Sequence, residues 1–247
     1  MTAYTKRLPK VTAVLCTAAL LAGCAAGTSD NTEPAATTAQ VKTITIEPTA
    51  AYQTMNGFGA SACWWSQEVG NWENAKDILS LLYDENSGIG LNIYRYNLGA
   101  GSKDDATITD PDRRAEAFID KDGSYHWERD AAAQNALALA KSMNKDLRVT
   151  LFSNSAPVFY TANGKAYCDY LPDDEKYVTN LEPERYADFA KYSIACAKHF
   201  TEAGYRVTGL SPINEPEWSW RGYEDGTAKQ EGCYYSKTQC RICTRYF

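Results

Sequence analysis

The sequence of 247 residues alternates between apolar, β-branched runs and stretches with helical spacing of apolar side chains, and this alternation restricts the fold more than any other feature. Runs with the length and composition of buried strands lie at residues 88–97, 147–152 and 207–213. Amphipathic helices are predicted at residues 73–83, 130–143 and 183–204. The alternation predicts a parallel α/β sheet whose strands are joined by right-handed crossovers.

The spacing of apolar residues also predicts which helix faces point inward. The last helix is expected to begin at Pro183 and to stop at Gly204, and Asp130 is expected to cap the preceding helix with its side chain. The inward residues of that preceding helix are Ala133, Ala136, Leu137 and Ala140. The apolar stripe of the last helix consists of Tyr186, Phe189, Ala190, Ile194, Ala197 and Phe200.

Polar and aromatic residues gather where the predicted strands end. These clusters lie at residues 61–65, 95–97, 153–157 and 214–217. The carboxyl ends of parallel strands meet on one face of a sheet, and in a (β/α)8 barrel that face carries the active site. The sequence therefore predicts about four βα units from the N-terminal portion of a (β/α)8 TIM barrel. The long connections at about 98–129 and 154–182 would form the walls of the site.

One carboxylate directly follows the last predicted strand, in the run Ser211-Pro-Ile-Asn-Glu-Pro. Pro216 disfavours the right-handed helical conformation at Glu215, so the strand cannot simply continue into a helix. Beside apolar rings, desolvation favours the protonated form of a carboxyl group, and such a group can donate a proton near neutral pH. A surface turn is the alternative interpretation, and Glu217 is the alternative acid.

The first 40 residues are expected to lie outside the folded domain. An apolar run at 11–21 follows three basic residues, and its length suits a signal peptide better than a membrane span. We predict a lipoprotein signal peptide at 1–24 with Cys24 as the lipidated residue, and a flexible tether at 25–40. An ordinary secretory signal is the alternative. Either interpretation predicts export, and the first places the protein in a bacterial cell envelope, attached to the membrane only through its lipid.

Charge and cysteine pattern exclude several classes of partner. The formal net charge of −6 disfavours a nucleic acid, because proteins that bind one neutralise phosphates with Lys and Arg. A neutral polysaccharide or oligosaccharide fits the composition. No cofactor and no metal is predicted, since Cys240 and Cys243 lack the well-spaced further ligands that zinc requires. Cys168 and Cys233 are candidates for a disulfide after export, which the sequence does not assign.

Four sequence blocks together resemble one known family. In chain order they are Asn56-Gly-Phe-Gly-Ala, Gly90-Leu-Asn-Ile-Tyr-Arg-Tyr-Asn-Leu-Gly, Phe152-Ser-Asn-Ser-Ala-Pro and Ser211-Pro-Ile-Asn-Glu-Pro. This order resembles glycoside hydrolase family 30 of clan A, over about residues 41–235. Three shorter motifs are most similar to its endo-β-1,6-galactanase-like branch: Trp64-Trp65, Arg113-Arg114-Ala-Glu and Gln230-Glu-Gly-Cys.

The resemblance implies a fold, a reaction and roles for individual residues. The fold is a (β/α)8 barrel with a side β-sandwich that would include a strand at 41–46, and the reaction is retaining hydrolysis by glutamates at the ends of strands four and seven. Glu215 matches the general acid/base, Asn214 the neighbour that binds the sugar's 2-hydroxyl, and Arg95 an arginine of the sugar pocket. Further candidate sugar contacts are Asn154, Ser155, Trp64 and Trp218. Core packing is the alternative explanation for Trp64 and Trp218, and a capped turn is the alternative for Asn154 and Ser155. For Arg95 the alternative is an ion pair with a buried acid.

The sequence departs from the family pattern at its C-terminal end. Four of eight strands are predicted, so the domain at 41–235 is expected to be incomplete and to lack the nucleophile. Residues 236–247 are basic and cysteine-bearing, and we interpret them as the aberrant end of a truncated or frameshifted product, with a genuine short helix as the alternative. The expected function is that of a retaining glycosidase that is inactive alone. A non-catalytic carbohydrate-binding surface lipoprotein and a non-functional product are the competing hypotheses.

Overall fold

A computed structural model describes residues 44, 45, 47, 49–172 and 179–247. The chain divides into two units, Met1–Tyr52 and Gln53–Phe247, and the second contains all of the helices and strands described below. The predicted signal peptide, with Cys24, and the tether lie outside the described residues, as does most of the predicted strand at 41–46. None of the described helices is long and apolar enough to cross a bilayer.

The described residues form one four-stranded parallel sheet whose spatial order follows the sequence. Its strands are β1 (Gly59–Ser61), β2 (Ile93–Leu98), β3 (Arg148–Ser153) and β4 (Arg206–Ser211). All six residues of β2 pair in register with β3, whereas the register between β3 and β4 shifts at Val149/Thr150. The predicted parallel α/β sheet is thus confirmed. The second strand begins five residues later than predicted, because residues 84–92 turn back from the preceding helix and Gly90 adopts a φ of 66°.

The described residues form five α-helices, and the apolar spacing predicted three of them, Ala75–Tyr83, Ala131–Met143 and Tyr186–Glu202. The five are α1 (Ser66–Val69), α2 (Ala75–Tyr83), α3 (Ala131–Met143), α4 (Tyr186–Glu202) and α5 (Lys237–Cys243). A single 3-10 turn at Pro183–Arg185 precedes α4, so the predicted start at Pro183 is correct for the turn and three residues early for the α-helix. The predicted inward face of α3 is buried throughout.

The core lies between the helices and one face of the sheet. Alternate side chains of β2, namely Tyr94, Tyr96 and Leu98, are fully buried on that face, and Leu79 and Leu137 pack there from the helices. Burying an aliphatic or aromatic side chain of this size contributes about 1.5–3 kcal/mol. The other face of β2 carries Arg95 and Asn97. This division directs the polar residues away from the helices and toward the interior that a closed barrel would enclose.

Two predictions about the helices are wrong. Asp130 directly precedes α3 but does not cap it: its φ is 53°, and its carboxylate accepts a hydrogen bond of 2.6 Å from the Tyr96 hydroxyl. Burial raises the pKa of Asp130 to about 7. In α4, Ile194 is 47% exposed, whereas Tyr192 and Cys196 are buried. The buried stripe of α4 therefore includes Tyr192 and Cys196 and leaves out Ile194.

The segment after residue 235 is folded in the structure. Ser236 and Gln239 form a reciprocal capping box at the start of α5, and Cys243 is buried. Phe247 lies edge-on against Phe189 of α4, with ring centroids 5.9 Å apart. Residues Lys237–Cys243 thus form a short helix, whereas the truncation or frameshift inferred from the sequence stays a prediction. Elsewhere, Cys168 and Cys233 are buried free thiols.

Candidate active site

Arg95 lies at the centre of the polar face of the sheet, on β2. Its guanidinium carbon is 3.3 Å from the centre of the Phe152 ring on β3. One terminal nitrogen donates a hydrogen bond of 2.7 Å to Asn214 Oδ1, and the other donates one of 3.3 Å to Ser61 Oγ. Burial lowers the pKa of Arg95, and the charge of the nearby Glu215 opposes this. Stacking and neutral hydrogen-bond acceptors therefore hold the guanidinium, rather than a buried acid.

Three asparagines continue from Arg95 as a hydrogen-bonded series, here called the amide chain: Asn214, Asn154 and Asn97. Asn214 Nδ2 donates to Asn154 Oδ1 at 3.0 Å, and Asn154 Nδ2 donates to Asn97 Oδ1 at 3.0 Å. The Asn154 nitrogen is also 3.3 Å from the Cys63 sulfur. The backbone N–H of Asn214 donates to the Ser153 carbonyl, which fixes it against β3. The amide chain thus links the ends of β2 and β3 to the segment after β4.

Asn97 is a site residue that the sequence analysis did not select. It is buried at the end of β2, and its Nδ2 has no hydrogen-bond partner among the described residues. A buried donor without a partner costs about 1–3 kcal/mol. The sequence signal for Asn97 was its position in the polar cluster at 95–97. Asparagine is also frequent in turns, so this position did not distinguish a site residue from a turn residue.

Glu215 is less enclosed than predicted. The expectation that apolar rings would desolvate it is wrong, because its side chain is exposed. Its φ of 44° lies in the left-handed region, where Pro216 alone would have favoured an extended conformation. The Glu215 carbonyl accepts hydrogen bonds from the Trp218 backbone N–H at 3.1 Å and from the Trp220 indole N–H at 2.9 Å. These bonds close a tight turn that directs the carboxylate outward, although its charge still acts on Arg95.

The remaining predicted contacts do not gather around Arg95. Ser155 is buried, and its hydroxyl donates to the neighbouring Ala156 carbonyl. Trp64 lines a cleft of about 430 Å³ that also contains Trp72. Trp218 lines a different cleft, of about 620 Å³. The structure therefore brings Arg95, Asn214 and Asn154 together, sets Glu215 beside them, and separates the two tryptophans.

Two of the short motifs meet in space. Arg113 donates a hydrogen bond to the Gln230 side chain across 117 residues of sequence. Next to it, Glu231 is completely buried and accepts hydrogen bonds from Ser102 Oγ at 2.6 Å and from the Ala100 backbone N–H at 3.1 Å. Burial raises the pKa of Glu231 to about 8. Glu231 thus fastens the segment after β4 to the segment after β2, a role that the sequence analysis did not predict.

Comparison with known proteins agrees with this architecture. A relative described as endo-beta-1,6-galactanase from Hypocrea rufa is 31% identical over 219 residues, covering 78% of this chain and 43% of its own length. A solved structure of a conserved exported protein from Bacteroides fragilis has a TM-score of 0.72 and 28% identity, covering 81% of this chain and 42% of that one. The catalytic domain of a GH30 xylanase C from Talaromyces cellulolyticus has a TM-score of 0.54 at 20% identity, covers 81% and 44%, and bears on the fold alone.

Four parallel strands in sequence order, with polar side chains gathered at their carboxyl ends, are the N-terminal portion of a (β/α)8 barrel. The family model described as O-Glycosyl hydrolase family 30 matches residues 41–246, and this chain belongs to that family. The residues matched by the family model include α5. The chain spans less than half the length of the galactanase that it resembles.

Proposed function

We propose that this chain supplies the proton-donating part of a retaining glycoside hydrolase acting on a β-linked polysaccharide, with a β-1,6-galactan as substrate. One observation carries the proposal: the hydrogen bond of 2.7 Å from Arg95 to Asn214 joins the end of β2 to the residue before Glu215. A cation and an amide thus meet beside Glu215, at the strand ends where barrel enzymes carry their chemistry. The similarity to the Hypocrea rufa galactanase supports the choice of sugar and linkage.

Glu215 is assigned the general acid/base role. Its protonated carboxyl group donates a proton to the leaving glycosidic oxygen, and the carboxylate then removes a proton from the attacking water. Asn214 uses its amide oxygen for Arg95 and one N–H for Asn154. Its second N–H has no partner among the described residues and is assigned to the sugar's 2-hydroxyl, a hydrogen bond that strengthens in the transition state.

The proposed mechanism requires a second carboxylate about 5–5.5 Å from the first, to form the glycosyl-enzyme. The family resemblance assigns that residue to a seventh strand, and the described part of the chain contains four. We therefore expect this chain by itself to bind saccharide with almost no turnover. It is also expected to be poorly soluble, because the outer edges of β1 and β4 have no neighbouring strand among the described residues.

Binding without hydrolysis is the second candidate function. The exposure of Glu215 and Trp218 favours it, because an exposed aromatic surface beside a polar pocket suits a protein that only holds glycans. The two candidates differ in one variant. In a protein that also contains the second carboxylate, Glu215→Gln lowers hydrolysis if Glu215 is the acid, whereas it leaves glycan retention unchanged in either case.

The proposal is tested by retention of the chain in native gels containing β-1,6-galactan, together with an assay for new reducing ends. Retention without reducing ends is expected. Fusing residues 41–247 to the C-terminal part of the Hypocrea rufa enzyme is expected to give hydrolysis, reduced by about 10²–10⁴ in Glu215→Gln. Glu217→Gln is the matched control and should keep the activity. Ordinary turnover by the chain alone would contradict the assignment of the nucleophile to another strand.

We further propose that the protein is exported and anchored through a lipid on Cys24. The apolar run at 11–21 supports this, as does the similarity to a conserved exported protein of Bacteroides fragilis. Cells supplied with labelled palmitate should incorporate label into the wild-type protein and into Cys63→Ala, but not into Cys24→Ala. Label retained in Cys24→Ala would exclude the anchor.

A further inference from the structure

Cys168 and Cys233 are two buried cysteines from distant parts of the chain. Cys168 lies in the connection between β3 and α4, and Cys233 lies in the segment after β4, with 4% and 0% of their surfaces exposed. Their side chains form a hydrogen bond with each other. Two thiols that the sequence could only name as candidates for pairing are therefore in direct contact in the folded protein.

The backbone brings the two cysteines together through two neighbouring segments. The Gly232 N–H donates to the Ala166 carbonyl at 2.8 Å. The Tyr234 N–H donates to the Cys168 sulfur at 3.4 Å, and Cys233 lies between these two donors in the sequence. Hydrogen-bonded neighbouring segments are about 5 Å apart, within the Cα separation of about 4.4–6.8 Å that a disulfide spans. The pair can therefore be bridged without a large movement of the backbone.

The backbone of Cys168 is also fixed on its other edge. The Cys168 N–H donates to the Trp220 carbonyl at 2.9 Å, and the Gly222 N–H donates to the Cys168 carbonyl at 2.8 Å. Both backbone polar groups of Cys168 are thus paired while its thiol is free. The position of Cys168 opposite Cys233 is therefore set by the fold and does not depend on a bond between the two sulfurs.

The two thiols differ in their readiness to react. The hydrogen bond from the Cys233 side chain lowers the pKa of Cys168, and the backbone N–H groups of Tyr234 and Asn180 act in the same direction, against burial. Burial raises the pKa of Cys233 well above its ordinary value. Since the thiolate is the form that attacks a disulfide, Cys168 is the first nucleophile of the pair.

We infer that Cys168 and Cys233 form a disulfide when the chain folds in an oxidising environment. The inference goes beyond the proposed function, because it requires neither a sugar nor hydrolysis. In a cell it rests on the proposed export, since disulfides persist outside the cytosol and cytosolic thiols are kept reduced. Burial of both sulfurs would then protect the bond from reductants.

The bond forms by thiol–disulfide exchange with an oxidant that itself contains a disulfide, such as oxidised glutathione. The Cys168 thiolate attacks one sulfur of the oxidant, whose S–S bond breaks and releases one thiolate. Deprotonated Cys233 then attacks the Cys168 sulfur of this mixed disulfide and expels the second thiolate. The two cysteines lose two electrons to the oxidant, which becomes two thiols, and the two protons of the cysteines end on those thiols.

The disulfide would join two parts of the chain that carry the candidate site. It would close a loop over residues 168–233, which contains α4, β4 and Glu215. A cross-link of this kind stabilises the folded state mainly by restricting the unfolded chain, and the effect increases with the length of the loop. The oxidised protein is therefore expected to be more resistant to unfolding than the reduced protein.

Refolding of the full chain from urea in a buffer of reduced and oxidised glutathione tests the inference. Remaining thiols are blocked with N-ethylmaleimide, and tryptic peptides are analysed by mass spectrometry without reduction. Trypsin places Cys168 and Cys233 on separate peptides, 166–176 and 230–237, and Cys240 and Cys243 on two others, 238–241 and 242–245. The expected main product is peptide 166–176 linked to peptide 230–237.

Urea unfolding of the oxidised and reduced forms measures the effect of the bond. The midpoint of the oxidised form should be higher by about 1–2 M. This difference should disappear in Cys168→Ala and in Cys233→Ala. The matched control is Cys196→Ala, which removes another fully buried thiol and should keep the difference.

The outcomes separate this inference from the proposed function. Peptides 166–176 and 230–237 that both carry N-ethylmaleimide after oxidative refolding would overturn the pairing, and so would a link from either peptide to Cys240 or Cys243. Equal urea midpoints for the oxidised and reduced wild-type protein would overturn its stabilising role. Neither result bears on galactan retention or hydrolysis. A failure of the palmitate labelling described above would overturn the anchor and leave the pairing intact.

Discussion

The two sides of the candidate site differ in how they are built. On the Arg95 side, the amide chain lies largely buried at the ends of β2 and β3, and its members bind one another. On the other side, Glu215 and Trp218 are exposed on a turn after β4, held mainly through backbone groups. A buried, hydrogen-bonded site is organised before substrate arrives. The exposed side instead depends on what binds against it to exclude water from Glu215.

Two glutamates 16 residues apart give the sharpest test of this difference. Glu231→Ala removes a wholly buried carboxylate and leaves the Ser102 hydroxyl and the Ala100 N–H without their acceptor. We expect a loss of about 2–6 kcal/mol in the free energy of unfolding, since each buried group left without its partner costs about 1–3 kcal/mol. Glu215→Ala, in an exposed turn, should change it by less than about 0.5 kcal/mol. Urea unfolding measures both, and equal losses would erase the distinction between the two sides.

The pH dependence of stability should follow the buried acids. Burial raises the pKa of Glu231 to about 8 and that of Asp130 to about 7, above their ordinary values. The folded state therefore binds protons more tightly than the unfolded state, and this stabilisation is complete below about pH 4 and is lost as the pH rises toward 8.

Between pH 5 and pH 8 we expect the free energy of unfolding to fall by on the order of 6 kcal/mol from these two groups. Glu231→Gln should flatten the profile, because a neutral amide does not titrate. Thermal unfolding at a series of pH values provides the measurement. A wild-type profile that rises across this interval would contradict the buried state of these carboxyl groups.

Arg95→Lys tests whether the Arg95 side binds through geometry rather than through charge alone. Lysine keeps the positive charge but cannot stack flat on Phe152 while also reaching Asn214 and Ser61. We expect galactose affinity to fall about tenfold, equivalent to about 1.4 kcal/mol. Calorimetry with galactose gives the value, and Lys191→Arg on the outer face of α4 is the control. Unchanged affinity for galactose would mean that the site requires only the positive charge at position 95.

Trp220→Phe has the smallest expected effect and probes the exposed side. Phenylalanine keeps a ring over Gly232 but removes the indole N–H that binds the Glu215 carbonyl. The expected loss in the free energy of unfolding is about 0.5–1.5 kcal/mol, the contribution of one hydrogen bond. Chemical denaturation checks this, with Trp72→Phe as the comparison. A loss as large as that of Glu231→Ala would show that the turn is as essential to folding as the buried side.

Much of the fold followed from local patterns. The strands predicted at 88–97, 147–152 and 207–213 and the inward face of α3 appear within five residues of their expected bounds, because apolar spacing is set by the geometry of a single helix or strand. The error at Ile194 has the same origin, since spacing identifies a stripe but not its width. Of the predicted site, Arg95 and Asn214 are adjacent because Arg95 lies in β2 and Asn214 follows β4 of the same parallel sheet.

The sequence by itself determined the alternation of strands and helices, and with it the face of the sheet to which Arg95, Asn214 and Glu215 belong. The tertiary structure alone decided which residues are enclosed: it buried Glu231 against Ser102, drew Asn97 into the amide chain, and left Glu215 exposed. The reason is physical. Periodicity depends on neighbours along the chain, whereas burial and hydrogen-bond partners depend on strand register and on the packing of segments more than 100 residues apart.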